Sequence, residues 1–296
     1  MSDFLRNAFA GTSAVKAAIA AATAMLLVAP ASAASFNYEN FSSVAGLSLN
    51  GVAASAADSA GRDVLRVTPS AYNSSGSAFS TSTVVLGADV SFSTRFTFNF
   101  NAPLNTGADG LVFVVQTNSN AVGGLGVGIG YSGIPNSLGI EFDSWNNGAI
   151  DGNSANHVGI NLSGSVNSLA RIEAPYTLDN GGDLTAWVDY NGATDLLEVR
   201  LSNTLLRPTD ALLSYSVDLV SILGTPNAFL GFTSGTGIAG ANHDVISWTF
   251  NDSYQPITEL PGVGGVPEPM SWVLMIAGFG LVGVAARRRA FTRKAA

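Results

Sequence analysis

The acidic side chains within residues 139–157 (GIEFDSWNNGAIDGNSANH) are the first feature of the chain that could do chemistry. The chain has 21 acidic residues and two histidines, and Glu141, Asp143, Asp151 and His157 all lie in this short stretch. Neighbouring carboxylates repel each other unless a positive charge lies between them. Carboxylate and amide oxygens suit calcium, whereas an imidazole among carboxylates suits manganese or another transition metal. The stretch therefore predicts a cation site, with a solvated acidic loop as the alternative.

Two other chemistries can be tested against the same residues. An EF-hand loop starting at Asp151 fails, because its sixth and twelfth positions would be Asn156 and Leu162 instead of Gly and Glu. Paired carboxylates on one strand also serve retaining glycosidases. In sandwich-fold glucanases the pattern is Glu-x-Asp-x-x-Glu, but the third position after Asp143 is Asn146. One carboxylate of the catalytic pair is therefore missing, and hydrolysis is the weaker interpretation.

Alternating apolar and polar residues predict that β-strands position this acidic cluster. If residues 138–143 form a strand, Glu141 and Asp143 project from one face while Ile140 and Phe142 project into the core. The same alternation over 184–190 and 197–201, joined by Asn191-Gly192, predicts a hairpin. About a dozen such strands without intervening helices predict an all-β fold, a two-sheet antiparallel jelly-roll sandwich. The remaining strands are predicted at 95–100, 111–116, 158–162, 228–233 and 245–250.

Charge and composition exclude several classes of function. Residues 34–262 carry 19 acidic and 6 basic residues, a net charge of −13, and no Lys. A surface of that sign repels phosphate backbones, so we expect no nucleic-acid binding. The chain has no Cys, which excludes disulfides and thiolate metal sites. His243-Asp244 has no Ser or Cys nucleophile placed to accompany it, so we interpret the pair as structural and expect no enzymatic activity.

The two ends of the chain are typical of export and membrane targeting. Residues 1–33 combine basic residues, an apolar run and the small-residue pattern Ala31-Ser32-Ala33, which predicts a signal peptide with a signal helix. Residues 270–286 are uncharged and near the lower length limit for a transmembrane helix, and the arginines after them place that end in the cytoplasm. The predicted organisation is a signal peptide (1–33), a β-sandwich domain (34–254), a Pro/Gly linker (255–266) and a C-terminal sorting segment (267–296).

The C-terminal segment resembles a known sorting signal. Val266-Pro267-Glu268-Pro269, the apolar run and Arg287-Arg288-Arg289 are similar to the PEP-CTERM signal of Gram-negative, exopolysaccharide-producing bacteria. This resemblance implies that an exosortase-like membrane enzyme cuts near the Pro-Glu-Pro box. The protein would be anchored in the inner membrane through 270–286 before processing. Afterwards it would lie at the cell surface, in the extracellular matrix or free in the medium.

The β domain resembles the legume-type (L-type) lectins, and in particular their bacterial branch. The central motif is Glu-Phe-Asp-x-Trp-x-Asn at 141–147, followed by Asp151 and by His-Val-Gly-Ile at 157–160. One departure is Asn161, which stands where the pattern commonly has Asp. Other segments that are similar to the family lie at 35–38, 108–113, 123–126, 130–137, 187–192 and 231–248.

The resemblance implies a sugar-binding surface that is ordered by metal ions, with a cis peptide bond between Ala108 and Asp109. The calcium ligands would be Asp143, the backbone carbonyl of Trp145, Asn147 and Asp151. The manganese or other transition-metal ligands would be Glu141, Asp143, Asp151 and His157. The carbohydrate contacts would be Asp109, Gly124, Trp145 and Asn147, with Gly237, Ile238 and Ala239 in a rim loop at 235–242.

The expected function is therefore that of an exported, calcium-dependent, carbohydrate-binding protein whose ligand is a glycan or exopolysaccharide. Calcium would fix Asn147 and its loop in advance and so lower the ordering cost of binding. A structural component of the extracellular polysaccharide matrix, with metals used only for folding, is the main alternative. A sandwich-fold glycoside hydrolase is a weaker one. Nothing in the sequence excludes a homo-oligomer.

Overall fold

The computed structural model describes residues 35–258, except for positions 88, 122, 124 and 125. The predicted signal peptide, the sorting segment with its predicted transmembrane helix, and Gly124 lie outside the described residues. Within 35–258, none of the described helices has the length and apolar character needed to cross a bilayer.

Two antiparallel sheets make up the described residues, which confirms the predicted all-β sandwich. In chain order the strands are β1 (Ser35–Tyr38), β2 (Leu47–Gly51), β3 (Ala54–Ala57), β4 (Asp63–Thr68), β5 (Ser75–Ser80), β6 (Val84–Val85), β7 (Phe92–Leu104), β8 (Gly110–Gln116), β9 (Ser137–Asp143), β10 (His157–Leu162), β11 (Ala170–Glu173), β12 (Leu184–Asn191), β13 (Leu196–Ser202), β14 (Leu213–Ser216), β15 (Asn227–Gly235) and β16 (Gly240–Asn251). The front sheet has the order β11-β10-β9-β8-β15-β5-β2, with β6 beside β15. The back sheet has the order β14-β13-β12-β7-β16-β4-β3, with β1 beside β16.

Phenylalanine rings fill the space between the sheets and thereby orient strand β9. The ring centroid of Phe142 lies 5.7 Å from that of Phe96 and 4.8 Å from that of Phe98, both on β7. All three rings are buried, and such tilted or edge-to-face aromatic pairs are favourable. Side chains alternate along a strand, so a core-facing Phe142 turns Glu141 and Asp143 to the outer face of the front sheet. The orientation predicted from the alternation is confirmed.

Strand register gathers the loops of interest at one end of the sandwich. Gly110 at the start of β8 lies opposite Asp143 at the end of β9 and opposite Gly235 at the end of β15. Asp143 also lies opposite His157, the first residue of β10. The segments that adjoin these residues therefore leave the sheet at the same end. These segments are residues 105–109, 144–156 and 236–239.

The structure also differs from the prediction at a short helix and at the rim loop. A short helix, α1 (Leu219–Leu223), follows β14, with its N-cap formed by the side chain of Asp218, which accepts from the Ser221 N–H. Five residues are too few to show a helical period. The predicted rim loop 235–242 is shorter than expected, because β15 continues to Gly235 and β16 begins at Gly240. Their Gly, Ala and Ser residues carry little apolar alternation, so the strand ends were not visible in the sequence.

Candidate functional site

Three of the predicted metal ligands come together at this end of the front sheet. Ligand atoms of Asp143, Asp151 and His157 all lie within 4.8 Å of one another. Asp143 ends β9, His157 begins β10, and Asp151 ends a 3₁₀ turn, Gly148–Asp151, in the loop between them. All three side chains are buried. Two carboxylates and an imidazole therefore share one enclosed space.

Hydrogen bonds within the loop hold the two carboxylates in place. The backbone N–H of Trp145 donates to Oδ1 of Asp143 at 2.7 Å. The backbone N–H of Asn147 donates to Oδ2 of Asp151. Asp143 thus holds the residues that follow it in the loop, and Asp151 holds the residues that precede it. The amide oxygen of Asn147, Oδ1, is buried and has no hydrogen-bond partner within the described part of the chain.

Glu141 lies beside this cluster and is held by protein groups on both oxygens. Its Oε1 accepts from the Ser168 hydroxyl and lies 3.3 Å from Nε2 of His157. Its Oε2 accepts from Nδ2 of Asn161 at 2.5 Å. An Asp at position 161 would place a second carboxylate against Glu141, and the two negative charges would repel each other. The Asn that is found at this position donates a hydrogen bond to Glu141 instead. Ser168 and Asn161 were missed as site residues because only the fold brings them to Glu141.

Gly159 provides the room that Glu141 needs. It lies directly opposite Glu141 in the pairing of β9 and β10. A Cβ atom at Gly159 would overlap with Oε1 of Glu141 and Oγ of Ser168. The carboxylate and its hydroxyl partner therefore occupy the volume that any larger residue would fill.

The pKa values of the clustered acids reflect burial with little compensating positive charge. Burial raises the pKa of Asp143 well above its usual range. The hydrogen bond from the Trp145 N–H lowers this pKa, but the negative charges of Asp151, Glu141 and Asp109 raise it further. Burial, and then the charge of Asp151, raises the pKa of Asp109 to about 6. The pKa of Asp151 is also raised, mainly by burial. A divalent cation among these groups would favour their ionised forms.

The donor set fits the metals predicted from the sequence. Asn147 Oδ1 and His157 Nδ1 are buried and have no hydrogen-bond partner in the region that the structure describes, whereas most buried polar atoms in proteins have one. The oxygens of Asp143, Asp151 and Asn147 are hard donors of the kind that calcium binds. The imidazole of His157 suits a transition metal. Both kinds of predicted ligand are therefore present in one buried cluster.

Asp109 joins the metal cluster to the neighbouring loops. It follows a cis peptide bond after Ala108, as the resemblance predicted. Its N–H donates to the carbonyl of Gly235 at 3.1 Å, and its carbonyl accepts from the Ser144 N–H at 2.9 Å. A Cβ atom at Gly110, the next residue, would overlap with the carbonyl oxygen of Phe142 and lie 3.0 Å from Cα of Asp143. Glycine at 110 thus allows Asp109 to approach the loop between β9 and β10 (residues 144–156), which we call the metal loop.

One oxygen of the Asp109 carboxylate has no partner among the described residues. This oxygen, Oδ2, is buried and accepts no hydrogen bond from that part of the chain. It faces two glycines: a Cβ atom at Gly126 or Gly237 would lie 3.9 or 3.8 Å from it. Neither of these two positions carries a side chain that could cover the acceptor.

The other residues predicted to contact sugar occupy different positions around Asp109. Trp145 and Asn147 are half-buried in the metal loop. Ile238 is 74% exposed at the tip of the loop between β15 and β16. Ala239 is fully buried, and its carbonyl accepts from the Gly237 N–H at 3.2 Å. Ala239 therefore shapes the turn, and only Ile238 presents a large side chain at its surface.

Asn156 is a further residue that the sequence did not reveal. Its Nδ2 donates to the carbonyls of Ala174 and Tyr176, each at 3.1 Å, and its Oδ1 accepts from the Leu178 N–H at 2.9 Å. The end of the metal loop is thereby tied to the segment between β11 and β12. No sequence pattern links positions separated by about twenty residues of irregular chain.

Comparison with known proteins places the chain in a family. A family model described as the legume lectin domain matches residues 33–261. The chain belongs to the legume lectin family. A second model, the PEP-CTERM protein-sorting motif, matches residues 265–289. Both resemblances drawn from the sequence are confirmed.

Individual relatives of this legume lectin domain are plant proteins. A lectin of Pisum sativum is 31% identical over 207 residues, which cover 64% of this chain and 74% of the relative. Agglutinin-2 of Cladrastis kentukea is 34% identical over 178 residues, covering 56% of this chain and 59% of the relative. The L-type lectin-domain containing receptor kinase VIII.1 of Arabidopsis thaliana is 29% identical over 187 residues, or 60% of this chain. The match spans only 26% of that kinase.

Solved legume lectins have the same fold. The basic winged bean lectin, in a crystal structure with Tn-antigen, has a TM-score of 0.62 at 29% identity, covering 78% of this chain and 100% of the lectin. The metal-free form of lectin I-B4 from Griffonia simplicifolia has a TM-score of 0.62 at 28% identity, covering 73% of this chain and 98% of the lectin. In both sequence and fold, the described domain is similar to lectins.

Proposed function

We propose that the protein is an exported, calcium-dependent lectin that binds carbohydrate at the loop end of the front sheet and catalyses no reaction. The observation that carries this proposal is the buried Oδ2 of Asp109, next to the metal loop, which no donor among the described residues satisfies. Sugars present neighbouring hydroxyls, and a carboxylate that accepts from them forms charge-assisted hydrogen bonds. Membership of the legume lectin family supports the same reading.

The metal ligands in this proposal are those predicted from the sequence. Calcium would be bound by Asp143, the backbone carbonyl of Trp145, Asn147 and Asp151. Manganese or another transition metal would be bound by Glu141, Asp143, Asp151 and His157. When bound, the ions neutralise the clustered carboxylates and stiffen the loop.

The sugar would contact groups on both sides of Asp109. The Asn147 amide nitrogen can donate to a hydroxyl while its oxygen serves the calcium ion. The apolar C–H face of the sugar would pack on the ring of Trp145. The backbone amide of Gly124 would also contact the sugar, and the loop that carries Gly237, Ile238 and Ala239 would form the rim. For a shallow site of this kind we expect a Kd of about micromolar to millimolar.

The ligands in solved structures of similar lectins indicate which sugars to test first. The Bauhinia forficata lectin was solved with GalNAc and lectin UEA-II with galactose. Galactose and N-acetylgalactosamine are therefore the first probes for this chain. An envelope glycan or exopolysaccharide that carries such residues is the proposed natural ligand.

The sorting motif supports a location outside the cytoplasm. We propose that the signal peptide at 1–33 directs export and that residues 270–286 hold the protein in the inner membrane. An exosortase-like enzyme then cuts near Pro267–Pro269. The lectin domain is left at the cell surface, in the matrix or in the medium.

A glycan array tests the proposed function. The full chain is applied with calcium and manganese, then with a chelator, and finally after calcium is restored. We expect binding to a defined set of glycans that disappears on chelation and returns with calcium. Absence of binding under all three conditions would favour the structural matrix role instead.

A further inference from the structure

Strand β11 is an edge strand of the front sheet and lies next to β10. Arg171 on β11 is directly opposite Gly159 on β10, and Gly159 is directly opposite Glu141 on β9. Residues that are opposite each other in neighbouring strands project to the same face of a sheet. The side chain of Arg171 therefore leaves the sheet on its outer face, where the proposed metal ligands lie.

The guanidinium group of Arg171 contacts the metal loop on both sides of Asp151. Its Nη1 donates a hydrogen bond to the carbonyl of Ile150, the residue before Asp151, at 2.9 Å. It also lies against Gly152, the residue after Asp151. A Cβ atom at Gly152 would overlap with Nη2 of Arg171 and lie 2.8 Å from its Cζ. One side chain from the edge strand therefore contacts both neighbours of a proposed metal ligand.

Glu173 makes a second contact between β11 and the metal loop. It is two residues beyond Arg171, so both side chains project to the same face, and it lies opposite His157. The Ser154 hydroxyl donates to Oε2 of Glu173 at 2.6 Å. The edge strand thus contacts the loop at 150–152 and again at 154, which fixes the turn of the loop relative to the sheet.

The positive charge of Arg171 could act on a neighbouring cation site in two opposite ways. Arg171 takes part in none of the ion pairs among the described residues. A positive charge close to a divalent ion repels that ion, so the charge alone would weaken calcium binding. A contact that orders the loop in advance would strengthen calcium binding instead. The sign of the effect therefore distinguishes the two roles.

We propose that Arg171 is a positioning residue for the calcium site, which orders the turn that carries Asp151 before the ion binds. The inference rests on the proposed calcium-dependent lectin function. In the metal-free protein the buried carboxylates of Asp143 and Asp151 repel each other, and this repulsion opposes the closed form of the loop. The charge-assisted hydrogen bond from Arg171 to Ile150 holds the turn on the edge strand against that repulsion. Calcium then binds with a lower ordering cost.

Substitutions of Arg171 in the full chain test this role. Arg171→Met keeps a long apolar side chain and removes the charge and the donors. Arg171→Lys keeps the charge and a flexible donor. Ile172→Ala is the control for disturbance of β11, because Ile172 is the next residue, is 37% exposed and projects to the other face. Calcium is titrated by calorimetry into protein that has been stripped of metal and then supplied with manganese.

We expect Arg171→Met to raise the calcium Kd about tenfold, the effect of losing one charge-assisted hydrogen bond. Arg171→Lys should restore most of the affinity, to within about threefold of wild type. Ile172→Ala should stay within about twofold of wild type. In metal-free protein, Arg171→Met should speed hydrogen exchange at residues 148–154 while urea unfolding of the whole domain is unchanged.

Gly152→Ala tests the same contact from the side of the loop. Its Cβ atom displaces the guanidinium, and the left-handed backbone of Gly152, with a φ of 61°, adds strain. The strain is present with or without Arg171, so it cancels in a double-mutant cycle. We expect Gly152→Ala to raise the calcium Kd by at least about threefold less in the Arg171→Met background than in wild type.

An unchanged or lower calcium Kd in Arg171→Met would overturn the positioning role, because loss of the charge alone favours cation binding. Equal hydrogen exchange at 148–154 in the metal-free wild type and Arg171→Met would overturn it as well. Failure of the proposed function has a different signature. A wild-type chain that binds calcium but no glycan would overturn the lectin function, and the titrations would still decide the role of Arg171. A wild-type chain that binds no calcium would overturn both.

Discussion

Nε2 of His157 lies 3.3 Å from Oε1 of Glu141, with both side chains buried on the adjacent strands β10 and β9. The imidazole thus connects two groups of acids. On one side is Glu141, whose oxygens are held by Ser168 and Asn161. On the other are Asp143 and Asp151, which have few protein partners of their own. The acids with fewer protein hydrogen bonds are therefore those on the side of the cluster that faces the metal loop.

Asp143 and Asp109 should have separable roles. Asp143→Ala removes a ligand shared by both proposed ions, so we expect lower metal content and a free energy of unfolding reduced by about 3 kcal/mol at saturating calcium. Asp109→Ala removes only the sugar acceptor, and we expect at least about a hundredfold loss of affinity with metal content retained. Mass spectrometry for metals, thermal unfolding and sugar titration measure the three quantities. Equal losses of stability in the two variants would contradict this division.

Gly159 should be intolerant of even one added methyl group. The Cβ atom of Gly159→Ala overlaps with Glu141 and Ser168, and overpacking of this kind costs about 1–3 kcal/mol. We expect weaker manganese binding together with that loss, both measured by titration and by urea unfolding. Gly182→Ala is the matched control, since Gly182 is exposed. Normal manganese affinity in Gly159→Ala would show that the position of Glu141 does not matter for the second metal.

The part of the site that lies on strands could be predicted from the sequence. Period-two alternation places Phe142 in the core, and this alone turns Glu141 and Asp143 to the same outer face. The short distance in sequence from Asp143 to Asp151 and His157 then means that the loop returns to the sheet close to where it left. The same reasoning gave the hairpin of β12 and β13. These inferences succeed because burial on one face specifies the orientation of every residue in the strand.

The rest of the site depends on irregular segments that local patterns do not describe. Asn161 and Ser168 reach Glu141 only after β10 and its following turn have folded onto β9. The segment between β11 and β12 is tied to the end of the metal loop by the side chain of Asn156. Side-chain to backbone bonds of this sort have no period and no fixed spacing. The structure is required to find them.

Both ends of the chain should be removed during export. If the signal peptide and the sorting motif are used, the mature protein should begin near Ala34 and end near Pro267–Pro269. Intact mass spectrometry of protein from the native or a PEP-CTERM-competent host measures this. Glu268→Ala should leave the C-terminal segment attached, because it alters the Pro-Glu-Pro box. Glu259→Ala, in the linker, is the control and should be processed normally. A wild-type protein that keeps its final residues would contradict the proposal.

A buried polar chain connects the back sheet to the residue that follows Asp109. Nδ1 of His243 lies 2.7 Å from Oγ1 of Thr68, which lies 2.8 Å from Oγ of Ser234. The Ser234 hydroxyl donates to the carbonyl of Gly110 at 2.7 Å. The His243 ring is completely buried and packs edge-on against Phe100. Burial lowers the pKa of His243 to about 3.

His243 should therefore make the domain sensitive to acid. Between its unfolded pKa of about 6.5 and its folded value, the unfolded chain binds a proton that the folded state does not, so stability falls as the pH decreases. The expected slope is about 1.4 kcal/mol per pH unit from this group. Urea unfolding at pH 4, 5, 6 and 7 in excess calcium measures it. His243→Asn keeps a polar atom near Thr68 and cannot titrate, so its free energy of unfolding should fall less steeply by that amount. Parallel slopes in the two proteins would show that His243 is already protonated in the folded state, or that acid acts elsewhere.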